Sequence, residues 1–186
     1  MIMINEKENK KISKFLSFVL RHNPESIGLK LDDNGWAETE DLLKKMNDRG
    51  FNVTADVLNH IVATNSKQRF SFNENKTKIR ASQGHSINVE LNLKAATPPE
   101  YLYHGTGEKF VSSILANGLQ KRERQQVHLS KDRETAIEVG QRHGKPRVFI
   151  VEATHMCSEG FLFYLSDNNI WLTDHVPAQY LRLSEK

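Results

Sequence analysis

The Pro98-Pro99 pair, which occurs once in this 186-residue chain, strongly limits how the chain can fold. Proline cannot continue a helix interior or a central strand, and Pro-containing linkers commonly separate domains. Three helical patterns and a hairpin pattern precede the pair, whereas short strands mixed with helices follow it. We therefore place a domain boundary at the linker Ala95–Pro99 and expect two lobes, residues 1–94 and 95–186.

Amphipathic helices dominate the first half. Apolar side chains such as Ile12, Phe15 and Val19 recur at helical spacing. Pro24 then disfavours helical geometry in the residue before it. We predict helices over 8–22, 39–48 and 54–64, short strands over 27–31 and 89–93, and a hairpin from the alternating runs 69–72 and 78–81. Because three helices followed by a hairpin are the order of a winged helix, we predict an N-terminal winged-helix lobe.

The second half mixes short strands with helices. It opens at Tyr101–Gly107, where an apolar run passes into His-Gly-Thr-Gly, which we interpret as a tight turn that presents bare backbone to a ligand. We predict helices over 110–117 and 134–143, strands over 124–130 and 147–153, a hairpin from 161–165 and 170–173, and a final strand over 180–183. Ser130 is the expected cap of the helix that follows it, and 147–153 is the expected central strand. Because strands and helices do not alternate regularly, we predict an α+β fold.

The composition is that of a globular protein, with 38% hydrophobic and 26% charged residues. No apolar run approaches the roughly 18 residues that a membrane span requires, and residues 1–11 lack the apolar core of a signal peptide. The single cysteine, Cys157, excludes an internal disulfide. We therefore expect a cytoplasmic protein that does not enter a membrane.

The excess positive charge lies in the first half. Residues 1–94 carry 15 Lys and Arg against 12 Asp and Glu, whereas residues 95–186 carry 11 of each class. The basic residues around the predicted hairpin are Lys67, Arg69, Lys76, Lys78 and Arg80. They indicate either a nucleic-acid surface or a solvated hairpin face. Arg21-His22, at the end of the first helix, could equally complement the helix dipole, so the pattern alone leaves both interpretations open.

The sequence carries no recognisable metal or phosphate-loop motif. Its eight histidines include no HxxxH pair with an accompanying glutamate, and one cysteine cannot build a thiolate cluster. We therefore expect no metal site. Nothing near Cys157 supplies a base or a positive field, which argues against a cysteine nucleophile.

Four separated segments are weak individually but specific as a set: Phe15–His22, Lys67–Phe70, Tyr103–Thr106 and Arg124–Ser130. Supporting matches lie at Ile79–Ser86 and Asn169–Thr173. In this order and spacing the segments resemble the RNA 2′-phosphotransferase family, the NAD-dependent enzymes that remove the splice-junction 2′-phosphate from tRNA. The resemblance extends from about residue 11 to residue 183, nearly the whole chain.

The resemblance implies an N-terminal winged-helix lobe that binds RNA and a C-terminal ADP-ribosyltransferase-like lobe that binds NAD as a co-substrate. It also implies a two-step reaction on an RNA that carries an internal 2′-phosphate, as in tRNA. The phosphate first attacks the anomeric carbon of the NAD ribose and expels nicotinamide, which leaves an ADP-ribosylated phosphate. The neighbouring ribose 2″-hydroxyl then attacks the phosphorus, giving 2′-hydroxyl RNA and ADP-ribose 1″,2″-cyclic phosphate.

The resemblance also implies roles for individual residues. The expected catalytic set is Arg21, His22, Arg69 and Arg124. NAD is expected to contact His104, Gly105, Thr106, His128 and Ser130, and RNA phosphate is expected to contact Lys67, Arg80 and His85. Arginine suits this chemistry because its guanidinium donates to phosphate oxygens from a fixed fork. The expected enzyme is a monomer without a catalytic metal.

Two other functions fit parts of the sequence. An ADP-ribosyltransferase that modifies terminal nucleic-acid phosphates would use the same arginines, but the glutamate of toxin-type members has no clear counterpart near Trp171–Thr173. A winged-helix DNA-binding regulator would explain the first half but not the segments around His104 and Arg124. One departure from the family pattern is Gln126, where the family often has a histidine, so a proton-transfer role is not expected there.

Overall fold

The chain forms two compact units, Met1–Asn92 and Leu93–Lys186. A computed structural model describes residues 5–185, so residues 1–4 and 186, at the ends of the two predicted lobes, lie outside the described residues. Both units combine helices with small antiparallel sheets, which confirms the α+β prediction. Within residues 5–185, no helix is both long and apolar enough to cross a membrane.

The first unit combines α-helices with a three-stranded antiparallel sheet. Its elements are α1 (Glu6–Arg21), β1 (Ala37–Glu38), α2 (Thr39–Asn47), α3 (Ala55–Thr64), β2 (Phe70–Phe72) and β3 (Lys78–Ala81). The strand order is β1-β3-β2, so the predicted hairpin forms and β1 is added to it. Side-chain oxygens of Asn5 and Thr54 accept hydrogen bonds from main-chain N–H groups in the first turns of α1 and α3, which fixes where these helices begin.

The apolar stripe of α1 forms the centre of the first core. Ile12, Leu16, Val19 and Leu20 are at most 1% exposed. They share one cluster with buried residues of α2, α3 and β3, namely Leu42, Met46, Leu58, Ile61 and Ile79. Burial of one such side chain contributes about 1.5–3 kcal/mol. This packing fixes the C-terminal end of α1, where two of the predicted catalytic residues lie.

Two short strands predicted in the first half do not form. At 27–31, the alternation is overridden because Pro24 begins a 3-10 helix, Pro24–Ile27, which the Asn23 side chain caps. Gly28 then takes a left-handed φ of 65°, which breaks any extended run. Residues 89–93 also form no strand, and Asn92 has a left-handed φ of 53° that a strand cannot contain.

The second unit contains two three-stranded antiparallel sheets and a two-stranded one. Its elements are β4 (Tyr101–Gly107), α4 (Val111–Asn117), β5 (Leu119–Gln120), β6 (Val127–Leu129), α5 (Arg133–Gln141), β7 (Pro146–Glu152), α6 (Ala153–Ser158), β8 (Tyr164–Leu165), β9 (Trp171–Thr173), β10 (His175–Val176) and β11 (Leu181–Leu183). The strand orders are β11-β7-β4, β6-β9-β8 and β10-β5. β7 is therefore central in its sheet, as predicted, and the predicted hairpin β8-β9 forms.

The predicted turn at His104–Gly107 is wrong, because these residues continue β4 and pair with β7. The glycines instead allow α5 to approach the strand. A Cβ on Gly105 would overlap the carbonyl oxygen of Ala136 and lie 3.0 Å from the main-chain nitrogen of Gly140. A Cβ on Gly107 would likewise overlap a carbonyl oxygen of the segment after α5. The bare backbone therefore faces a helix of the same unit.

The predicted capping role of Ser130 is also wrong. Asp132 caps α5 instead, because its carboxylate accepts the Thr135 N–H at 2.7 Å. The predicted strand at 124–130 is shorter than expected and begins at Val127, because a turn hydrogen bond from the Arg124 N–H to the Lys121 carbonyl oxygen (3.0 Å) precedes it.

Candidate functional site

The C-terminal end of α1 presents Arg21 and His22 directly after the buried core residues of the helix. Arg21 is half-buried and His22 is exposed. The Arg21 Nη2 donates a hydrogen bond to the Arg69 carbonyl oxygen at 3.4 Å. The His22 Nδ1 lies 2.9 Å from the Ser86 Oγ. The fold thus brings Arg21 against Arg69, although 48 positions separate them in the sequence.

Arg69 lies in a turn that other hydrogen bonds hold. Its main-chain N–H donates to the Asn65 Oδ1 at 3.3 Å, and its carbonyl oxygen also accepts the Ser82 N–H at 2.9 Å. Gln68, just before it, has a left-handed φ of 41°. Lys67 is exposed in the same turn, two residues before Arg69. The main chain at Arg69 is therefore fixed independently of its guanidinium.

His85 is a buried histidine in a positive environment. It is only 1% exposed, and neither ring nitrogen has a hydrogen-bond partner within the described residues. Burial, followed by the positive charges of Arg21, His22 and Arg80, lowers the pKa of His85 from 6.5 to about 4. His85 is therefore neutral near pH 7. The contributions of Arg21, His22 and Arg80 to the shift show that these three side chains lie near the His85 ring.

Arg80, the remaining predicted phosphate ligand of the first unit, stacks on an aromatic ring. Its guanidinium carbon lies 4.5 Å from the centroid of the Trp36 ring, which is a cation–π contact. Trp36 is held in turn by its main-chain N–H, which donates to the Asp32 carboxylate at 2.9 Å. The stack restricts the orientation of the Arg80 guanidinium, so less side-chain entropy would be lost when an anion binds to it.

In the second unit, the His104 ring bonds to the strand beside it. Its Nδ1 lies 3.2 Å from the His128 carbonyl oxygen, and a carbonyl oxygen only accepts, so Nδ1 donates. Burial lowers the pKa of His104, the hydrogen bond to His128 opposes this, and the charges of Arg124 and His143 lower it further. The neutral ring that results carries its proton on Nδ1. Its Nε2 is then an acceptor, suited to a hydroxyl donor such as ribose.

Strands β4 and β6 meet at one residue pair within the described residues. The main chains of Tyr103 and Ser130 exchange hydrogen bonds of 2.9 and 2.8 Å. The main-chain pairing does not continue beyond this pair. The His104 side chain instead donates a hydrogen bond to the His128 carbonyl oxygen. The main-chain pairing between the two sheets therefore ends beside His104.

The other predicted NAD residues of these strands differ in accessibility. Thr106 is 4% exposed and Ser130 is 8% exposed, so both hydroxyl side chains are largely enclosed. Gly105 faces α5, and packing against that helix accounts for its lack of a side chain. His104 and His128 are each partly buried. Both residues are thus partly accessible, although the His128 Nε2 atom is itself buried.

Arg124 is exposed in the turn before β6. Partial desolvation, together with the like charge of Arg142, lowers its pKa, but a guanidinium keeps its charge near pH 7. Its charge also lowers the pKa of His104, which places it near the His104 ring. The fold thus groups Arg124 with the predicted NAD residues of the second unit.

The two units carry different chemistry. The first presents three arginines and a histidine, which suits an anion, and the second presents a neutral acceptor beside one arginine, which suits a sugar hydroxyl next to a negative group. Within residues 5–185, no group of three His, Cys, Asp or Glu side chains could hold a metal ion. The sequence assigned no role to Ser86 or Trp36, although Ser86 lies within a segment that carries the family resemblance.

Comparisons with known proteins match nearly the whole chain. A family model described as RNA 2'-phosphotransferase, Tpt1 / KptA family, matches residues 7–175. A "Probable RNA 2'-phosphotransferase" of Flavobacterium johnsoniae is 57% identical over 178 residues, which are 96% of this chain and 98% of the relative. A protein with the same name from Hahella chejuensis is 54% identical over 96% of this chain and 96% of its own length. Another from Agrobacterium fabrum is 54% identical over 92% of this chain and 92% of its own length.

Proposed function

The chain belongs to the RNA 2′-phosphotransferase, Tpt1 / KptA family, and we propose that it transfers an internal RNA 2′-phosphate to NAD. The proposed products are nicotinamide, 2′-hydroxyl RNA and ADP-ribose 1″,2″-cyclic phosphate, formed through an ADP-ribosylated RNA phosphate. NAD is consumed as a co-substrate and supplies the electrophilic anomeric carbon. The proposed substrate is a tRNA-like RNA, and the proposed enzyme is a cytoplasmic monomer.

The observation that carries this proposal is the positive environment of His85. Burial, followed by the charges of Arg21, His22 and Arg80, lowers the pKa of this ring to about 4, so two arginines and a histidine lie near it. A site built this way attracts a phosphate dianion, whose charge must be held through both steps. Arg21, His22 and Arg69 are the proposed catalytic groups here, and Lys67, Arg80 and His85 are the proposed RNA-phosphate ligands. As a neutral ring, His85 would contribute a hydrogen bond and no charge.

The second unit fits NAD through the neutral His104 ring. With its proton on Nδ1 and bonded to the His128 carbonyl oxygen, His104 offers Nε2 as an acceptor for a hydroxyl of the nicotinamide ribose. The other proposed contacts are Gly105, Thr106, His128 and Ser130. Arg124, the fourth proposed catalytic residue, would hold negative charge beside this ribose.

We propose a winged-helix lobe at residues 1–94 and an ADP-ribosyltransferase-like lobe at residues 95–186. The order of three α-helices and the hairpin β2-β3 supports the first assignment. The end of the main-chain pairing beside His104, where a side chain bonds to the His128 carbonyl oxygen, is consistent with a ligand site in the second lobe. The match to a phosphotransferase family across residues 7–175 gives no support to the alternative of a DNA-binding regulator.

Incubation with NAD and an RNA that carries one internal 2′-phosphate tests the proposal. We expect release of ADP-ribose 1″,2″-cyclic phosphate and 2′-hydroxyl RNA in equal amounts, and no reaction when NAD is omitted. The same RNA without its 2′-phosphate is the matched control. ADP-ribose that stays attached to a terminal phosphate would favour the ADP-ribosyltransferase alternative, and an unchanged 2′-phosphate would refute the proposal.

A further inference from the structure

We infer that Ser86 is a positioning residue for the proposed phosphotransfer, because it holds the His22 ring and the end of α1 in one arrangement. The inference rests on the proposed function and assigns a role to a residue outside the proposed catalytic set. Ser86 acts through His22 and is not expected to touch the substrate.

Ser86 makes two separate contacts with the adjacent residues Arg21 and His22. Its main-chain N–H donates to the Arg21 carbonyl oxygen at 3.0 Å. Its side-chain Oγ lies 2.9 Å from the His22 Nδ1. The last carbonyl groups of a helix lack partners within the helix, so the first contact makes Ser86 part of the C-terminal cap of α1. One residue, 64 positions from His22, thus fixes both the main chain and the ring at this helix end.

The hydroxyl group suits a histidine that changes its protonation state. It can donate to Nδ1 of a neutral ring, and it can accept from Nδ1–H of a charged ring, so the contact survives proton transfer. With Nδ1 held by Ser86, Nε2 is the nitrogen of His22 that serves the phosphate. Without the hydroxyl, the exposed imidazole of His22 would gain rotational freedom, and fewer molecules would have the ring correctly oriented.

The segment that carries Ser86 is itself anchored. His85, the residue before it, is 1% exposed. A buried ring directly next to an exposed hydroxyl limits how far that hydroxyl can move. Ser86 is therefore a fixed point for the His22 ring.

The test compares Ser86→Ala with Ser86→Thr, which restores the hydroxyl, under the assay conditions of the wild type. Both variants keep the main-chain bond to Arg21, so only the contact with the His22 ring changes. We expect Ser86→Ala to lower kcat about tenfold, the rate equivalent of one neutral hydrogen bond, with KM for NAD unchanged. Ser86→Thr should recover most of that loss. Ser158→Ala is the matched control, because it removes an exposed serine hydroxyl that bonds the His155 carbonyl oxygen in the other unit.

A second measurement needs no turnover. In the ¹⁵N spectrum of the substrate-free protein, the His22 Nδ1 resonance should move in Ser86→Ala and return towards its wild-type position in Ser86→Thr. An Ser86→Ala enzyme with wild-type kcat, or an Ser86→Thr enzyme as slow as Ser86→Ala, would overturn the inference while leaving the proposed function intact. A wild type that fails to remove the 2′-phosphate would overturn both, and an unmoved Nδ1 resonance would show that the contact itself is absent in solution.

Discussion

The buried His85 should make the first unit less stable as the pH falls. The substitution His85→Asn should remove most of this contribution to the pH dependence of the unfolding free energy. The folded pKa of His85 is about 4 and the ordinary value is 6.5. Between these values the unfolded chain binds more protons than the folded one, so stability rises with pH and is lost as pH falls. At about 1.36 kcal/mol per pKa unit the whole effect is about 3 kcal/mol, of which about 2.5 kcal/mol falls between roughly pH 7.5 and pH 4.5.

Urea unfolding at a series of pH values measures this difference. In a Trp171→Phe background, Trp36 fluorescence reports on the first unit, which contains His85. Between roughly pH 7.5 and pH 4.5, the free energy of unfolding should fall by about 2.5 kcal/mol more in the parent than in His85→Asn. The comparison of slopes is unaffected by any pH-independent change in stability that the substitution causes. Equal pH slopes for the two proteins would refute the argument. So would a proton NMR titration in which His85 changes charge near its ordinary pKa of 6.5.

Three further predictions concern the glycine strand, the anion site and the proposed catalytic arginines. Gly105→Ala should destabilise the protein by at least about 3 kcal/mol, measured by urea unfolding, because its Cβ would lie 2.5 Å from the Ala136 carbonyl carbon and neither backbone can yield cheaply. Inorganic phosphate at millimolar concentration should raise the pKa of His85 in an NMR titration, because a bound dianion offsets the positive charges around it. Arg69→Ala and Arg124→Ala should each lower kcat about 10²- to 10³-fold with an unchanged circular dichroism spectrum, because under the proposed function each loses a guanidinium that would stabilise negative charge in the reaction.

Control variants and a control titration test whether each expected effect is specific to its site. Gly50 has a left-handed φ of 81° and no atom within 4 Å of a Cβ, so Gly50→Ala should cost only about 1 kcal/mol of backbone strain. Equal losses of unfolding free energy in Gly50→Ala and Gly105→Ala would mean that α5 does not pack closely against β4 at Gly105. Arg182→Ala removes a surface arginine that pairs with Glu152, so it should leave kcat unchanged. A sulfate titration should reproduce the effect of phosphate on His85, and no shift with either anion would count against a phosphate site.

Local chemistry made much of the fold predictable. The stripe of α1, the Thr54 cap and the β8-β9 hairpin follow from spacing and turn residues close together in the sequence. The strand at 27–31 failed because Pro24 and Asn23 favoured a 3-10 helix over a weak alternation. The turn at His104–Gly107 failed because glycine is used equally for turns and for close packing, and only the position of α5 distinguishes the two uses.

The family resemblance proposes the members of the candidate site, but the sequence does not give their physical arrangement. Family resemblance named Arg21, His22 and Arg69, yet nothing in the sequence says that the Arg69 main chain accepts a hydrogen bond from Arg21. The neutral state of His85 and the Nδ1 proton of His104 depend on burial and on a carbonyl group 24 positions away. Long-range contacts of this kind arise only when the chain is folded.

The backbone contact between β4 and α5 also determines how this protein can be redesigned. Positions 105 and 107 leave no room for a side chain, because a Cβ there would overlap the main chain of α5 or of the segment after it. Residue alternation along a strand leaves His104 and Thr106 on the opposite face. A mutant library intended to test and change the proposed co-substrate preference should therefore keep both glycines constant and vary His104, Thr106 and the neighbouring β6 positions. These two positions are closed to substitution, whereas the proposed specificity positions on the opposite face remain available.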